Sequence, residues 1–567
     1  MTPSSGVPYK PSALRAPAPV PVVPPSFVPL PAETKPLAPR GALEQVPLDG
    51  LQPGPKAAVT PVKVMLEMRP ALEGFAGIPQ ETRLLFRGLR MLDGVGVQGL
   101  LQHANIRLSR GTSPARLGRK PLTAANKFNQ YSRVIVSLGE RPLKNVLLRQ
   151  FEKLDERFST LSLLTTSLLR FPRLSLTDFD AEHFGDFVWR SMFAKTLPSS
   201  DFSKVTGGSF KVCTTSWRTM HKAGISSLNL SPRAVYPKLD TRGVDVFIAQ
   251  TPYPARLTKG TAMVVRYHDA IPIFMPHLIP DKALHQATHM HALTENVKAG
   301  AYFACVSEAT RQELLKIYPQ AEPRAVTIHN MVSPHYVDEP ENPERVAQIV
   351  RTRLYQHPGL VPEFISLREQ EHFYGKHLAA RPFRYLLAVS TIEPRKNHLR
   401  LLSGGEALKA TLMPDVRLVV VGTLGWDNDA VTKGFAPWIE RGELFCLNAV
   451  PAGDLKTLYR NAAATVCPSL SEGFDYSGVE AMASGGVVVA SDIPAHREIY
   501  GDAAVFFDPY STGSLVDALE GTLCSPGAEG LQSELRRKGA EVATRYEPSR
   551  ILPRWHALLQ RVQRERR

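Results

Sequence analysis

Pro468–Gly486, PSLSEGFDYSGVEAMASGG, is the stretch whose reading decides the fold. The apolar run AAATVCP delivers the chain to it as a strand, small residues make the turn, and good helix formers (Val479, Glu480, Ala481, Met482, Ala483) follow before a second strand, VVVAS. Strand, turn, helix, strand is the unit of a doubly wound α/β sheet, and such sheets bind ligands at the carboxyl ends of their strands. Glu472 falls in the turn, and Glu480, eight residues on, is expected in the helix's first turn, so that both carboxylates face that crevice. The structural alternative is a solvated loop acid and an acid that merely complements the helix dipole.

Working outward, RYLLAVSTIEPRKNHLRLLSG repeats the pattern: a strand, then a turn that sets Arg395 and Lys396 side by side, then a helix. Adjacent cations there suit a diphosphate, Arg through its planar fork and Lys as a point charge. The whole stretch EGFDYSGVEAMASGGVVVASDIPAHREIYGDAAVFFDP, together with TIEPRKN, resembles the donor site of family 4 glycosyltransferases, retaining enzymes of the GT-B fold that use nucleotide sugars. The resemblance implies that Glu472 contacts the donor sugar, Glu480 holds the ribose hydroxyls, and Arg395 and Lys396 hold the diphosphate. Amides from Phe474, Asp475, Tyr476, Ser477 and Gly478 would cradle the sugar. Gly422 and the backbone around Leu447 fall where the family builds its base pocket, although Asn448 stands where a glycine is frequent. GFDYSG also replaces the usual G-F-G-L-P, which leaves donor identity open.

Upstream, VKVMLEMR, a loop with Gly74 and Gly77, the helix PQETRLLFRGLRML and the strand GVGVQGLL open a first α/β domain, with helix-terminal amides able to meet a phosphate. The same resemblance places Gly77 against the donor diphosphate. It also covers VVRYHDAIP and ACVSEATRQEL, and so sends His268 into the cleft from a strand's carboxyl end. Ser307 is placed to cap the helix TRQELLKIY. The expected organisation is a disordered proline-rich tail at 1–60 and an acceptor domain at 61–335 with an insertion at about 104–240. An interdomain connection at 336–382, a nucleotide-sugar domain at 383–540 and a helix at 541–567 crossing back to the first domain complete it.

Composition bounds the remaining classes. The 567 residues contain no apolar run of the roughly 18–20 residues a bilayer span needs, and the first residues lack a secretory layout. The five cysteines are scattered and read as small buried hydrophobes, not as a disulfide or zinc framework. Of the net charge of +15, much comes from Arg83–Arg149, where thirteen Lys/Arg face only Asp93 and Glu140. Such a run suits an anionic membrane surface or a polyanion, against the plainer alternative of a solvated face. Few aromatics interleave it, so no specific nucleic-acid partner is expected. GWDNDA has D-x-D spacing, and His285 and His289 lie one helical turn apart, but neither completes a metal site.

The sequence therefore predicts a two-domain GT-B glycosyltransferase. It would move a hexose, with mannose from GDP-mannose the first candidate, onto a polysaccharide or lipid-linked oligosaccharide with retention. No cofactor and no metal are expected, and the location expected is the cytosol, peripheral at the inner face of the plasma membrane. A sugar-nucleotide epimerase of the same fold and a donor-binding partner without turnover are the alternatives.

Overall fold

A computed structural model describes residues 61–75, 77–113, 122–139, 146–169, 174–379 and 382–566; side chains of residues 146–149 and 151–153 are left aside. The proline-rich tail expected at 1–60 lies outside the described residues.

Among the described residues ten strands fall in the first half: β1 (Val62–Glu67), β2 (Val95–Leu101), β3 (Thr177–Asp180), β4 (Ser209–Val212), β5 (Lys238–Leu239), β6 (Val246–Ala249), β7 (Arg256–Leu257), β8 (Ala262–Tyr267), β9 (Tyr302–Cys305) and β10 (Ala325–Thr327). Eight of them form one sheet, in the order β10-β9-β8-β6-β1-β2-β4-β3, parallel except where β3 runs against β4; β5 and β7 pair separately. The second half gives β11 (Tyr385–Val389), β12 (Arg417–Val421), β13 (Leu444–Leu447), β14 (Ala464–Cys467), β15 (Val488–Ser491) and β16 (Ala504–Phe507). Their order, β13-β12-β11-β14-β15-β16, reverses between β11 and β14. These strands are nearly continuous apolar runs because helices cover both faces. Two doubly wound sheets of this kind are the GT-B architecture that the sequence predicts.

The stretch expected as an insertion at 104–240 is part framework, since it supplies β3 and β4 to the first sheet. Nor is 336–382 a bare connection. Its helices Pro343–Arg353 and Leu367–His377 bury Val346, Ile349, Val350 and Tyr374 against Leu387 and Val419 of the second sheet. The helix Pro548–Arg564 returns to the first lobe, where Ile551, Trp555, Leu558, Leu559 and Val562, one helical face at 3–4 residue spacing, join the core around Val64 and Leu66.

Two expectations about surface chemistry change. Arg83, counted in the basic run, is fully buried and donates to the carbonyls of Ala71 (2.9 Å), Glu73 (2.7 Å) and Gly74 (2.7 Å), so it shapes the glycine loop from behind. Arg87 is held by Asp201 at 2.9 Å. Both helical faces point inward, which removes these two cations from any surface patch. Cys213, Cys305, Cys446 and Cys467 are buried as expected, but Cys524 is exposed. Among the described residues no helix is long and apolar enough to cross a membrane.

Candidate active site

The reversal between β11 and β14 opens the crevice in which the second lobe's charged side chains meet. The turn after β11 carries Glu393, Arg395 and Lys396, and Asn397 closes it in the left-handed region (φ +56°) before the helix His398–Thr411. The turn after β14 carries Glu472. Arg395 reaches Glu472 at 2.8 Å and Glu393 at 2.8 Å, and donates to the Ser471 carbonyl at 2.8 Å; Lys396 Nζ lies 2.5 Å from Glu472 Oε1. Burial alone would raise the Glu472 pKa, but Arg395 and Lys396 outweigh it and hold the carboxyl below its usual range. Burial acts against the Arg395 charge, and Glu472, Glu393 and Asp269 more than restore it. Two cations thus stand ion-paired among three acids, of which Glu393 is buried and Glu472 and Asp269 are partly so.

The first lobe faces this cluster with its own carboxyl ends. His268 follows β8, with Nε2 3.4 Å from Gln250 Oε1, and Asp269 beside it completes the acids around Arg395. Burial, and next the Arg266 charge, keep the imidazole pKa well below its ordinary value, so His268 is neutral. The lobes touch here: a Cβ on Gly473 would stand 1.7 Å from the His268 carbonyl oxygen, an approach that only glycine allows.

Glu480 sits elsewhere than expected. It is the fifth residue of the helix Tyr476–Ala483, past the first turn, and is buried. Gln80 Nε2, from the helix Ile78–Leu89 of the first lobe, donates to its Oε1 at 2.7 Å, and the Tyr459 hydroxyl donates to its Oε2 at 3.1 Å. Burial pushes its pKa up to about 7, against hydrogen bonds from Gln80, Tyr459 and Tyr336. An unfolded glutamate titrates near 4.3. As pH rises from there to about 7 the unfolded chain sheds this proton and the folded one keeps it, so stability falls through that window and is lowest above it. Glu480→Gln should therefore be more stable than the natural chain at pH 8, by at most about 4 kcal/mol, with the gap closing by pH 4. Thermal melts at the two pH values check this, and equal gaps overturn it.

The two departures in GFDYSG have structural uses. Asp475 caps its helix, accepting from Ser477 N at 3.0 Å and Ser477 Oγ at 2.7 Å, and its other oxygen lies 3.3 Å from buried His496. The Tyr476 hydroxyl donates to Glu81 Oε2 at 3.0 Å, and Glu81 in turn pairs with Arg266 at 2.9 Å, both fully buried. Phe474 packs edge-on against Tyr476 and Tyr546. These three side chains point into the protein, so residues 474–476 offer a ligand their backbone; the Ser477 amide is already spent on Asp475. Gly478 allows the Tyr500 ring to approach within 2.3 Å of where a Cβ would be.

Gly77 begins the Ile78 helix at φ +70° with open space beside it. Gly422 lies on the Ser390 backbone, where a Cβ would meet the carbonyl at 1.9 Å, and its amide donates to Leu447 O at 2.9 Å. Asn448 accepts from Ala449 N at 2.7 Å and so closes a turn that puts Ala449 at φ +51°. Asp427 stands in a turn at φ +46° and Asp429 opens a helix. His289 lies 3.3 Å from the Tyr267 hydroxyl, and among the described residues no group of three side chains could hold a metal. Sequence reasoning missed Glu393, Asp269, Gln80 and Gln250. The first two were visible within TIEPRKN and YHDAIP, whereas the glutamines carry no local signal.

Residues 370–542 match the family model of glycosyl transferases group 1. Over 257 residues the chain is 26% identical to O-antigen chain mannosyltransferase B of Escherichia coli, a match covering 45% of this chain and 59% of that one. It is 23% identical over 258 residues to the serotype-specific mannosyltransferase WbdA of Escherichia coli, covering 45% of this chain and 28% of that one. The chain thus spans less than two thirds of these relatives' length. Among solved structures, sucrose-phosphate synthase from Thermosynechococcus elongatus aligns with 88% of this chain and 99% of its own, at 12% identity and a TM-score of 0.49.

Proposed function

We propose, from the group 1 glycosyltransferase domain at residues 370–542, that the chain transfers a hexose from a nucleotide-diphospho-sugar to a glycan or lipid-linked oligosaccharide with retention at the anomeric carbon. Mannose from GDP-mannose is the first candidate donor, supported by the mannosyltransferases among its relatives. The observation that carries the reading is the convergence of Arg395, Lys396 and Glu472 where the strand order reverses, with His268 opposite.

The difficult step is departure of a nucleoside diphosphate while positive charge builds on the sugar. Preorganised cations in a site shielded from water stabilise the leaving charge. Glu472 pairs with both cations; an incoming diphosphate takes them over and releases this carboxylate toward the sugar, where it favours the developing cation. Glu480 takes the ribose hydroxyls once Gln80 gives way. Neutral His268 orients a sugar hydroxyl without competing for the diphosphate. The acceptor proton passes to the leaving phosphate oxygen, no residue is assigned as nucleophile, and the two cations do the charge work otherwise left to a metal.

Incubation with a panel of nucleotide sugars and a membrane extract tests this. Nucleotide release together with labelled sugar in the lipid or polysaccharide fraction is the expected result. An isomerised nucleotide sugar, or binding without release, overturns it.

A further inference from the structure

A groove of about 1010 Å³ opens between the helix Val146–Leu168 and the segment after β4, and none of the residues assigned to the donor lines it. Ser159, Ser162 and Thr215 give its walls hydroxyls that both donate and accept. Phe158 adds a flat apolar face, 71% exposed. Its four charged side chains, Arg107, Arg110, Asp155 and Glu156, balance in sign. A hydrocarbon chain would strand the hydroxyls, and a polyanion would meet Asp155 and Glu156. A neutral sugar chain, hydroxylated at its edges and apolar on its ring faces, matches both kinds of wall.

The groove also lies on a line with the transfer centre. His268 follows β8, Gln250 follows β6, Glu67 ends β1, Gln102 follows β2 and Thr214 lies just beyond β4, and these five strands are consecutive neighbours in the sheet. Four steps of about 4.8 Å put the groove roughly 19 Å from His268. Among the described residues, two buried donors along this row have no partner: Gln250 Nε2, on a fully buried side chain next to His268, and Trp217 Nε1, on a ring stacked 4.5 Å under Arg69. A buried donor left unpaired costs free energy that a polar ligand recovers.

We infer that the groove holds the non-reacting sugars of an uncharged acceptor glycan whose reacting end lies at His268 and Gln250. This rests on the transferase reading. The groove then selects for acceptor length, because only a chain several sugars long reaches from the row's end to Phe158.

Ser162→Trp fills the groove from an exposed helical position. With a simple mannoside and a ladder of manno-oligosaccharides as acceptors, it should raise KM for the longer members roughly tenfold or more. KM for the simple mannoside, and nucleotide release without acceptor, should not change. Equal effects on short and long acceptors, or none, overturn the inference. If the natural chain transfers no sugar at all, the function proposed above fails, and the groove is judged by direct titration with the longer oligosaccharides. Binding that Ser162→Trp abolishes keeps the groove assignment; absence of binding by the natural chain refutes it.

Discussion

Replacing Arg395 and Lys396 together by alanine is expected to abolish turnover, a loss of roughly 10³-fold or more in kcat, since a single preorganised donor to a developing anion is commonly worth 10²–10³. The substitution also leaves Glu472 buried with neither of its cations, and a buried charge stripped of its partner costs about 3–5 kcal/mol. A melt of the double variant should therefore drop. Adding Glu472→Gln removes the stranded charge, so the triple variant should recover much of the lost stability while staying inactive. Single-turnover nucleotide release and thermal melts of the two variants separate these effects. Kinetics close to those of the natural chain in the double variant would dismiss the diphosphate assignment.

The second large effect concerns stability alone. Arg266 is fully buried, pairs with Glu81 at 2.9 Å, donates to Asn330 Oδ1 at 2.7 Å and lies 5.3 Å from the Trp555 ring. Tyr476, from the other lobe, completes the Glu81 carboxylate. Arg266→Met leaves that carboxylate with one hydrogen bond from a side chain and no cation, and should destabilise the protein by about 3–5 kcal/mol. Arg266→Met combined with Glu81→Leu should restore most of it, because apolar side chains of similar volume often replace a buried ion pair without loss. Denaturant titration gives the comparison, and a double variant no better than Arg266→Met alone would count against this account.

The strands and their turns were legible because their signals are local: apolar runs ending in TIEPRKN, YHDAIP and SEGFDYSG name their own position at a sheet's edge. What the chain does not advertise is pairing across distance. Gln80 and Glu480 are 400 residues apart in sequence, and nothing in PQETRL says which carboxylate it will meet. Glu480 falls just past the first turn because Asp475 caps the helix and starts it at Tyr476, and a capping aspartate in that loop reads equally well as a ligand contact. The basic run misled for a related reason. A count of cations cannot tell Arg83, spent on carbonyl oxygens in the interior, from a side chain facing water.

The helix Pro548–Arg564 has a consequence for synthesis. About 220 residues separate the end of β10 from this helix, and at ribosomal speeds of roughly 5–20 residues per second that is a wait of about 10–45 s. Until Trp555 and its neighbours emerge, the nascent N-terminal half carries an open apolar trough along β1 and β6.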